Sequence, residues 1–158
     1  MIGTATGSVF LQTPYFVPDE SVLDSLRIAA LSGVDVRIMM PDRPDHPFVY
    51  WAGISYIRQL LDLGVKAYTY DNGFIHAKTI VVDEVVASVG SANWDVRSFS
   101  LNFETNAVMY DSAIAADLRA RFVRDLEFCS PITLERLDAL PWSQKFKQSI
   151  GRLFSPML

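Results

Sequence analysis

The chain has 158 residues, half of them hydrophobic, with a formal net charge of −4 and one cysteine. This length suits a single domain with a sizeable core, and the lone Cys129 excludes an internal disulfide. The acidic balance argues against nucleic acid as a partner, because no global basic field recruits polyanions and any anion site must be local.

The first half of the chain predicts alternating strands and helices. A short buried strand is expected at Ser8–Gln12, before a loop punctuated by prolines. Asp19 can cap a helix that runs to about Leu31, and Gly33 ends it. The next elements expected are a strand, a helix and a strand, at Val34–Met40, Phe48–Leu63 and Val65–Tyr70.

The second half predicts two strands around a turn at Asp83–Glu84, and then a long strand at Leu101–Tyr110. A helix capped by Asp111 or Ser112 is expected to run to about Phe128, with Cys129 as a small buried hydrophobe at its end. Strands that alternate with helices of this length predict an α/β fold. Its sheet is expected to be mostly parallel or mixed, with helices on both faces.

The stretch HAKTIVVDEVVASVGSAN concentrates the polar chemistry. Residues i and i+2 of a strand share a face, so His76 and Lys78 are expected to project together. Ser91 and Asn93 form a second such pair if the extended backbone persists past Gly90. Such a set suits a phosphate group, because an ammonium neutralises its charge while hydroxyl and carboxamide groups donate to its oxygens. The imidazole is then a nucleophile or a general acid/base.

Each part of this stretch also has a plainer interpretation. A His-x-Lys pair is more often a partly exposed polar pair, Asp83–Glu84 alone is a hairpin turn, and Gly-Ser-Ala-Asn alone is a loop. The combined spacing is much rarer than its parts. One cysteine and two distant histidines give no usual zinc-ligand pattern, and a Gly-rich nucleotide loop is lacking. Neither a metal nor a cofactor is therefore expected.

The spacing HxKx₄Dx₆GSxN, from His76 to Asn93, resembles the HKD motif of the phospholipase D superfamily. The segments TPYFVPDE, GVDVRIMMP, DHPFVYWA, GFIHAKT and GSANWDVRSFSLNFE are similar to the C-terminal half of bacterial cardiolipin synthases. The resemblance covers almost the whole chain from about Val9. It implies a phospholipase D-like catalytic half-domain over residues 1–130 and a helical tail over residues 131–158.

The resemblance also implies roles for individual residues. In the superfamily, one HKD histidine attacks a phosphodiester to form a phosphohistidine, and the other protonates the departing alcohol. Here His76 takes one of these two roles. The phosphate ligands implied are Lys78, Ser91 and Asn93.

Two acidic residues complete the implied site. Glu104 occupies the place of the family's acidic residue that orients the histidine. Asp83 completes the motif in an orienting or structural role, because a further anion touching the phosphate would repel it.

The activity implied is phosphatidyl transfer between two phosphatidylglycerol molecules to give cardiolipin and glycerol, on the cytoplasmic face of the bacterial inner membrane. The family pattern has two HKD motifs and N-terminal spans, whereas this sequence has one motif and no apolar run of the ~20 residues that a span needs. The only other histidine, His46, lacks the following lysine. The second half is therefore either a missing N-terminal half or a second copy in a homodimer.

Two alternatives remain open on the sequence. One is a phospholipase or nuclease of the same superfamily that acts through water, although the acidic chain weakens the nuclease version. The other is an inert half-domain that only binds a partner or a membrane.

The tail has two interpretations of its own. On a helix its large apolar side chains share an arc of roughly 120°. They are Trp142, Phe146, Ile150, Leu153, Phe154 and Met157. Such a helix lies on a lipid surface or packs on its own domain.

Overall fold

The computed structural model of the protein describes residues 1–43 and 45–154. Its strands are β1 (Ser8–Gln12), β2 (Phe16–Val17), β3 (Asp35–Pro41), β4 (Lys66–Tyr70), β5 (Thr79–Val82), β6 (Val86–Gly90), β7 (Trp94–Asp95), β8 (Asn106–Met109) and β9 (Cys129–Ile132). Its helices are α1 (Glu20–Leu31), α2 (Pro47–Leu61), α3 (Val96–Ser100), α4 (Ser112–Asp125), α5 (Leu134–Asp138) and α6 (Trp142–Phe154). Short 3₁₀ turns lie at Ile2–Thr4 and Leu126–Phe128.

The main sheet is mixed and has the strand order β8-β6-β5-β1-β3-β4-β9. β1, β3 and β4 run parallel at its centre, and the neighbours toward both edges are antiparallel. Alternation along β1 sends Val9 and Leu11 into the core formed with α1 and α2. Phe10 faces the other way and packs against Phe122 of α4. The predicted α/β fold with a mixed sheet and helices on both faces is confirmed.

Local sequence signals set several boundaries where they were expected. The Asp19 carboxylate accepts a hydrogen bond from the Val22 backbone N–H at 2.8 Å and so caps α1. Asp83 and Glu84 both have φ of +53° and lie in the three-residue connection, residues 83–85, between the paired ends of β5 and β6.

The predicted strand over Leu101–Tyr110 is wrong in its first half. The Asp95 side chain caps the short helix α3 by accepting from the Ser98 N–H at 2.7 Å. The chain then turns at Leu101, so β8 begins only at Asn106. A local side-chain cap thus overrides the β-favouring apolar residues of this segment.

Cys129 does not end a helix as expected. It begins β9, which pairs antiparallel with β4, and its thiol donates to the Asp125 carbonyl at 3.2 Å. Burial raises the pKa of the partly buried Cys129 thiol to about 12. β9 crosses the predicted boundary between residues 130 and 131, so the sheet takes its edge strand from both sides of that boundary. Pro131 is tolerated there because an edge strand has free N–H positions.

Asp83 ties the hairpin turn to the start of the chain. Its carboxylate accepts hydrogen bonds from the backbone N–H groups of Thr6, Gly7 and Ser8 at 2.7–2.8 Å. These bonds favour the charged form and hold the pKa of Asp83 below its usual value, although burial opposes them. The motif aspartate therefore lies at the turn of the hairpin, where it makes a structural contact with residues 6–8.

We expect Asp83→Asn to lower the free energy of unfolding at neutral pH by about 1–3 kcal/mol, because an amide cannot replace both acceptor oxygens. A lowered folded pKa stabilises the fold above the ordinary aspartate pKa of 3.8, and this contribution is lost as pH falls through the lowered value. The difference between wild type and variant should therefore shrink in acid. Denaturant unfolding at pH 7 and pH 3 measures both effects. Exposed Glu127→Gln is the matched control, and an equal loss there contradicts the assignment.

Candidate active site

The chemistry-bearing segments meet at the end of the sheet where the parallel strands β1, β3 and β4 finish. The loop after β4 returns along this edge into β5, and β6 ends beside it because β5 and β6 pair as a hairpin. The Gly90 N–H donates to the Lys78 carbonyl at 3.3 Å, so the two halves of the HKD-like motif lie side by side. Ligands bind at this edge in many open α/β sheets, because loops from several strands converge there.

His76 lies on the exposed loop before β5, not in a regular strand. Its ring stacks on Phe74, with centroids 5.5 Å apart and planes inclined by 29°. The Lys78 ammonium donates to the His76 carbonyl at 3.0 Å and lies partly buried. The two residues are therefore brought together through the backbone, with the imidazole accessible from outside.

Ser91 and Glu104 lie on the side of the site opposite the loop that carries His76 and Lys78. Gly90 pairs with Asn106, so the residues just outside the β6–β8 ladder face one another. The Ser91 hydroxyl donates a short hydrogen bond to Glu104 and accepts one from the Thr105 N–H at 3.0 Å. Bonds from Ser91 and Asn102 hold the pKa of Glu104 below its usual value.

Within residues 1–43 and 45–154, Glu104 makes no hydrogen bond or ion pair with the His76 imidazole. Its partners are Ser91, Ser98 and Asn102. The orientation of His76 by Glu104 thus stays a prediction, and the observed contacts instead fix the Ser91 hydroxyl.

Lys78 lies beside the end of β6, because its backbone carbonyl accepts a hydrogen bond from the Gly90 N–H. Burial lowers the pKa of the Lys78 ammonium, and nearby carboxylates, Glu104 first among them, offset part of that lowering. A cation that is partly desolvated interacts more strongly with an arriving anion than one in bulk water.

Asn93 presents an unsatisfied polar atom. Its side-chain Oδ1 is buried and has no hydrogen-bond partner among the described residues. A buried polar atom without a partner is uncommon in native structures and points to a ligand or to water. The carboxamide lines a cavity of about 330 Å³. The other lining residues are Tyr15, His46, Val49, Asp95, Arg97 and Asn102.

The cavity beside Asn93 carries its own charged groups. The Tyr15 hydroxyl donates to Asp45 at 2.6 Å, and burial together with this bond raises the pKa of Tyr15. The rings of Tyr15 and His46 lie 5.8 Å apart. Arg97 is exposed and forms no ion pair with Asp95 or Glu104 in the described structure, so its guanidinium is available to an anion.

Two polar residues of this region were missed by the sequence reasoning. Asp95 and Ser98 are both buried, and the Ser98 hydroxyl accepts from the Asn93 N–H at 3.2 Å and lies 3.5 Å from Glu104. Ser98, which is held by Asp95, therefore connects the Asn93 backbone to Glu104. The signal was available, because Asp-x-x-Ser is a common N-cap pattern for a short helix.

The described side chains show no grouping of three or more His, Cys, Asp or Glu residues suited to a metal ion. The described part of the chain also contains no helix long and apolar enough to cross a membrane.

Comparison with known proteins identifies relatives along the full chain. A family profile described as the phospholipase D-like domain of cardiolipin synthase matches residues 1–126. The chain is 57% identical over all 158 residues to the major cardiolipin synthase ClsA of Bacillus subtilis, and 52% identical to a cardiolipin synthase of Staphylococcus aureus. It covers 33% and 32% of these two proteins, so it spans about a third of their length.

Solved structures agree on the fold. Nuc, a phospholipase D family member from Salmonella typhimurium, superposes with a TM-score of 0.75 at 22% identity, covering 84% of this chain and 86% of that one. Phosphatidylserine synthase of Haemophilus influenzae gives a TM-score of 0.71 at 16% identity, covering 98% and 40%. Together with the profile and the near relatives, this places the chain in the cardiolipin synthase family of phospholipase D-like domains.

Proposed function

We propose that this chain supplies one HKD half of a phosphatidyltransferase that makes cardiolipin from two molecules of phosphatidylglycerol. One observation carries the proposal: the motif residues Lys78, Ser91 and Asn93 converge at one end of the sheet, in a chain of the cardiolipin synthase family. The reaction is placed at the cytoplasmic membrane surface, where the lipid substrate is available.

In the first step, an imidazole nitrogen of His76 attacks the phosphorus of one phosphatidylglycerol. The P–O bond to the headgroup glycerol breaks, and its electron pair leaves on that oxygen, which takes a proton from the histidine of the second half. Lys78 and the Asn93 carboxamide stabilise the charge that develops on the phosphate oxygens. The Ser91 hydroxyl is held beside them by Glu104.

In the second step, a headgroup hydroxyl of another phosphatidylglycerol attacks the phosphohistidine. Its proton passes to the second histidine, the P–N bond breaks, and His76 is regenerated as cardiolipin leaves. His76 and its counterpart can also exchange these roles, because the site is shared between two halves.

The second half has a surface to pack on next to the site. The exposed apolar side chains near the edge strand β8 are Leu101, Phe103, Val108 and Tyr110. We name them the β8 edge surface. Glu104 lies among them, so a partner seated there would bring its own histidine toward His76. A large exposed apolar patch favours association, and an unpaired edge strand does so too.

The leading alternative is a phospholipase that transfers the phosphatidyl group to water. The cavity beside Asn93 favours transfer instead, because its hydroxyl, carboxylate and guanidinium groups can hold a polyol headgroup as acceptor. The experiment that separates the two is an analysis of the products that an enzyme containing both halves forms from phosphatidylglycerol vesicles. Cardiolipin with free glycerol supports the proposal, and phosphatidic acid as the main product overturns it.

We expect the transferase to keep its activity in a strong chelator, because Lys78 and neutral donors stabilise the phosphate charge in place of a divalent ion. The enzyme to assay contains both halves, for example a chimera in which this chain replaces the matching third of the Bacillus subtilis relative. Activity before and after exhaustive EDTA treatment is the measurement. Loss of turnover that one particular metal restores contradicts the metal-free mechanism.

A further inference from the structure

The C-terminal helix α6 packs on its own domain through the side that the sequence pattern makes polar. Gly151 is its buried residue, and a Cβ there would lie 2.8 Å from the Ala52 backbone nitrogen and 3.1 Å from the Phe48 carbonyl. The Arg152 guanidinium stacks on Tyr56 at 4.0 Å, and the Lys147 ammonium lies 5.2 Å from the centre of the Trp51 ring. Gly151 and two cationic groups that lie over aromatic rings therefore form the contact with α2.

The apolar side of α6 points away from this contact. At about 100° per residue, Gly151 lies roughly opposite Trp142 and Leu153. Trp142 and Leu153 are 75% and 76% exposed, and Phe146 and Phe154 are about half exposed. We call these four side chains the α6 face. The helix packs on the domain, as one sequence interpretation predicts, and these four apolar side chains stay exposed. The interpretation that the helix lies on a lipid surface stays a prediction, and Met157 lies outside the described residues.

We propose that the α6 face is a docking surface for an anionic lipid bilayer. The charge of the helix supports this occupant: Lys145, Lys147 and Arg152 are its charged residues, with no acidic residue over Trp142–Phe154, in a chain of net charge −4. The Lys147 and Arg152 groups lie over rings of α2 and Lys145 donates to the Asp138 carbonyl, so the three charges give this end of the molecule a local positive field. Basic helices with an exposed aromatic arc are typical of the interface of anionic membranes.

The packing of α6 links this surface to the candidate active site. The helices α2 and α6 run antiparallel, because Gly151 meets Phe48 and Ala52 whereas Lys145 reaches the Arg58 end of α2 through Asp138. The end of α6 near Phe154 therefore lies beside the start of α2. His46, directly before α2, lines the cavity next to Asn93. The end of α6 and the cavity beside Asn93 thus lie at the same end of α2, which is where we propose that a lipid headgroup enters.

This inference deepens the proposed function and rests on it only for the identity of the lipid. The experiment is flotation of the chain with vesicles of phosphatidylcholine, either alone or with one third phosphatidylglycerol. The face variant carries Trp142→Ser and Leu153→Ser, and its matched control carries Ile114→Ser and Val123→Ser on α4, across the sheet. We expect the face variant to lose about tenfold or more in binding to the anionic vesicles with an unchanged melting temperature. The control variant should bind like wild type.

A charge pair tests the flanking cations. Lys145→Glu with Lys147→Glu should weaken binding to anionic vesicles and not to neutral ones, whereas Arg121→Glu with Arg124→Glu makes the same net-charge change on α4 and should have little effect.

Three results overturn the docking proposal: wild type that fails to float, a face variant that binds normally, or a face variant whose solution mass changes while its vesicle binding does not. The last result assigns the face to a protein partner. His76→Ala should float like wild type, since docking does not use the site. The two proposals fail separately. A chain that makes no cardiolipin can still float with vesicles, and a chain that does not float can still belong to an enzyme that makes cardiolipin in detergent micelles.

Discussion

Replacement of His76 by alanine is expected to lower the turnover of an enzyme containing both halves by on the order of 10³-fold or more. In our proposal the His76 imidazole attacks phosphorus and later leaves it, so no other group of the site replaces it. Alanine at this exposed position removes one ring contact, with Phe74, so the fold should persist. The measurement is initial-rate cardiolipin formation by the chimera with the Bacillus subtilis relative.

The control for this variant is Arg121→Ala, an exposed change on α4 that touches no residue of the site. Equal melting temperatures for wild type and both variants would show that the loss is chemical. Mass spectrometry after an alkaline quench adds a second readout, because a phosphatidyl adduct should sit on His76 if that residue attacks first. Near-normal turnover by His76→Ala removes the residue from the mechanism.

Gly90→Ala is expected to be the most damaging of the small substitutions considered. We expect it to lower the free energy of unfolding by about 3 kcal/mol and to remove most of the activity. The added Cβ would overlap the Thr105 carbonyl and the Asn106 side chain and lie 2.6 Å from the Asn106 Cα. Backbone atoms of β8 cannot move aside without breaking the β6–β8 ladder. That ladder is what places Glu104 against Ser91.

Gly3→Ala is the matched control for Gly90→Ala, because a Cβ at Gly3 meets no atom within 4 Å. Denaturant unfolding and hydrogen exchange of the β8 amides measure the two effects separately. A Gly90→Ala protein with normal stability and protected β8 amides would show that the close approach is not a constraint.

Elements with local signals were predictable from the sequence. β1 lies at the predicted residues, and α1 begins after the Asp19 cap and ends before Gly33. The hairpin turn at Asp83–Glu84 followed from two apolar runs separated by two polar residues. In each case the information lies within a few residues of the element itself.

Features that depend on distant contacts were not predictable in this way. The strand assigned to Leu101–Tyr110 failed because Asp95 caps a helix six residues earlier, and β9 was missed because only pairing with β4 makes it a strand. The hydrogen bond from Ser91 to Glu104 needs the register of β6 against β8. The residue types of the site were readable from sequence, whereas their contacts required the fold.

The exposure of α6 illustrates the same division. Periodicity identified an amphipathic helix, but periodicity alone does not determine which side of the helix packs on the domain. Only the close approach of Gly151 to α2 shows which side packs inward. The apolar side is therefore left for a bilayer in our proposal.

The central claim is that this chain carries one histidine of a two-histidine site. Its most direct test measures cardiolipin formation from phosphatidylglycerol by the purified chain, with its mass determined by light scattering in the same sample. We predict that the monomer makes no cardiolipin, and that any weak activity follows a dimeric fraction and disappears in His76→Ala. A strictly monomeric chain that turns over phosphatidylglycerol at the rate of a two-motif enzyme would contradict the account.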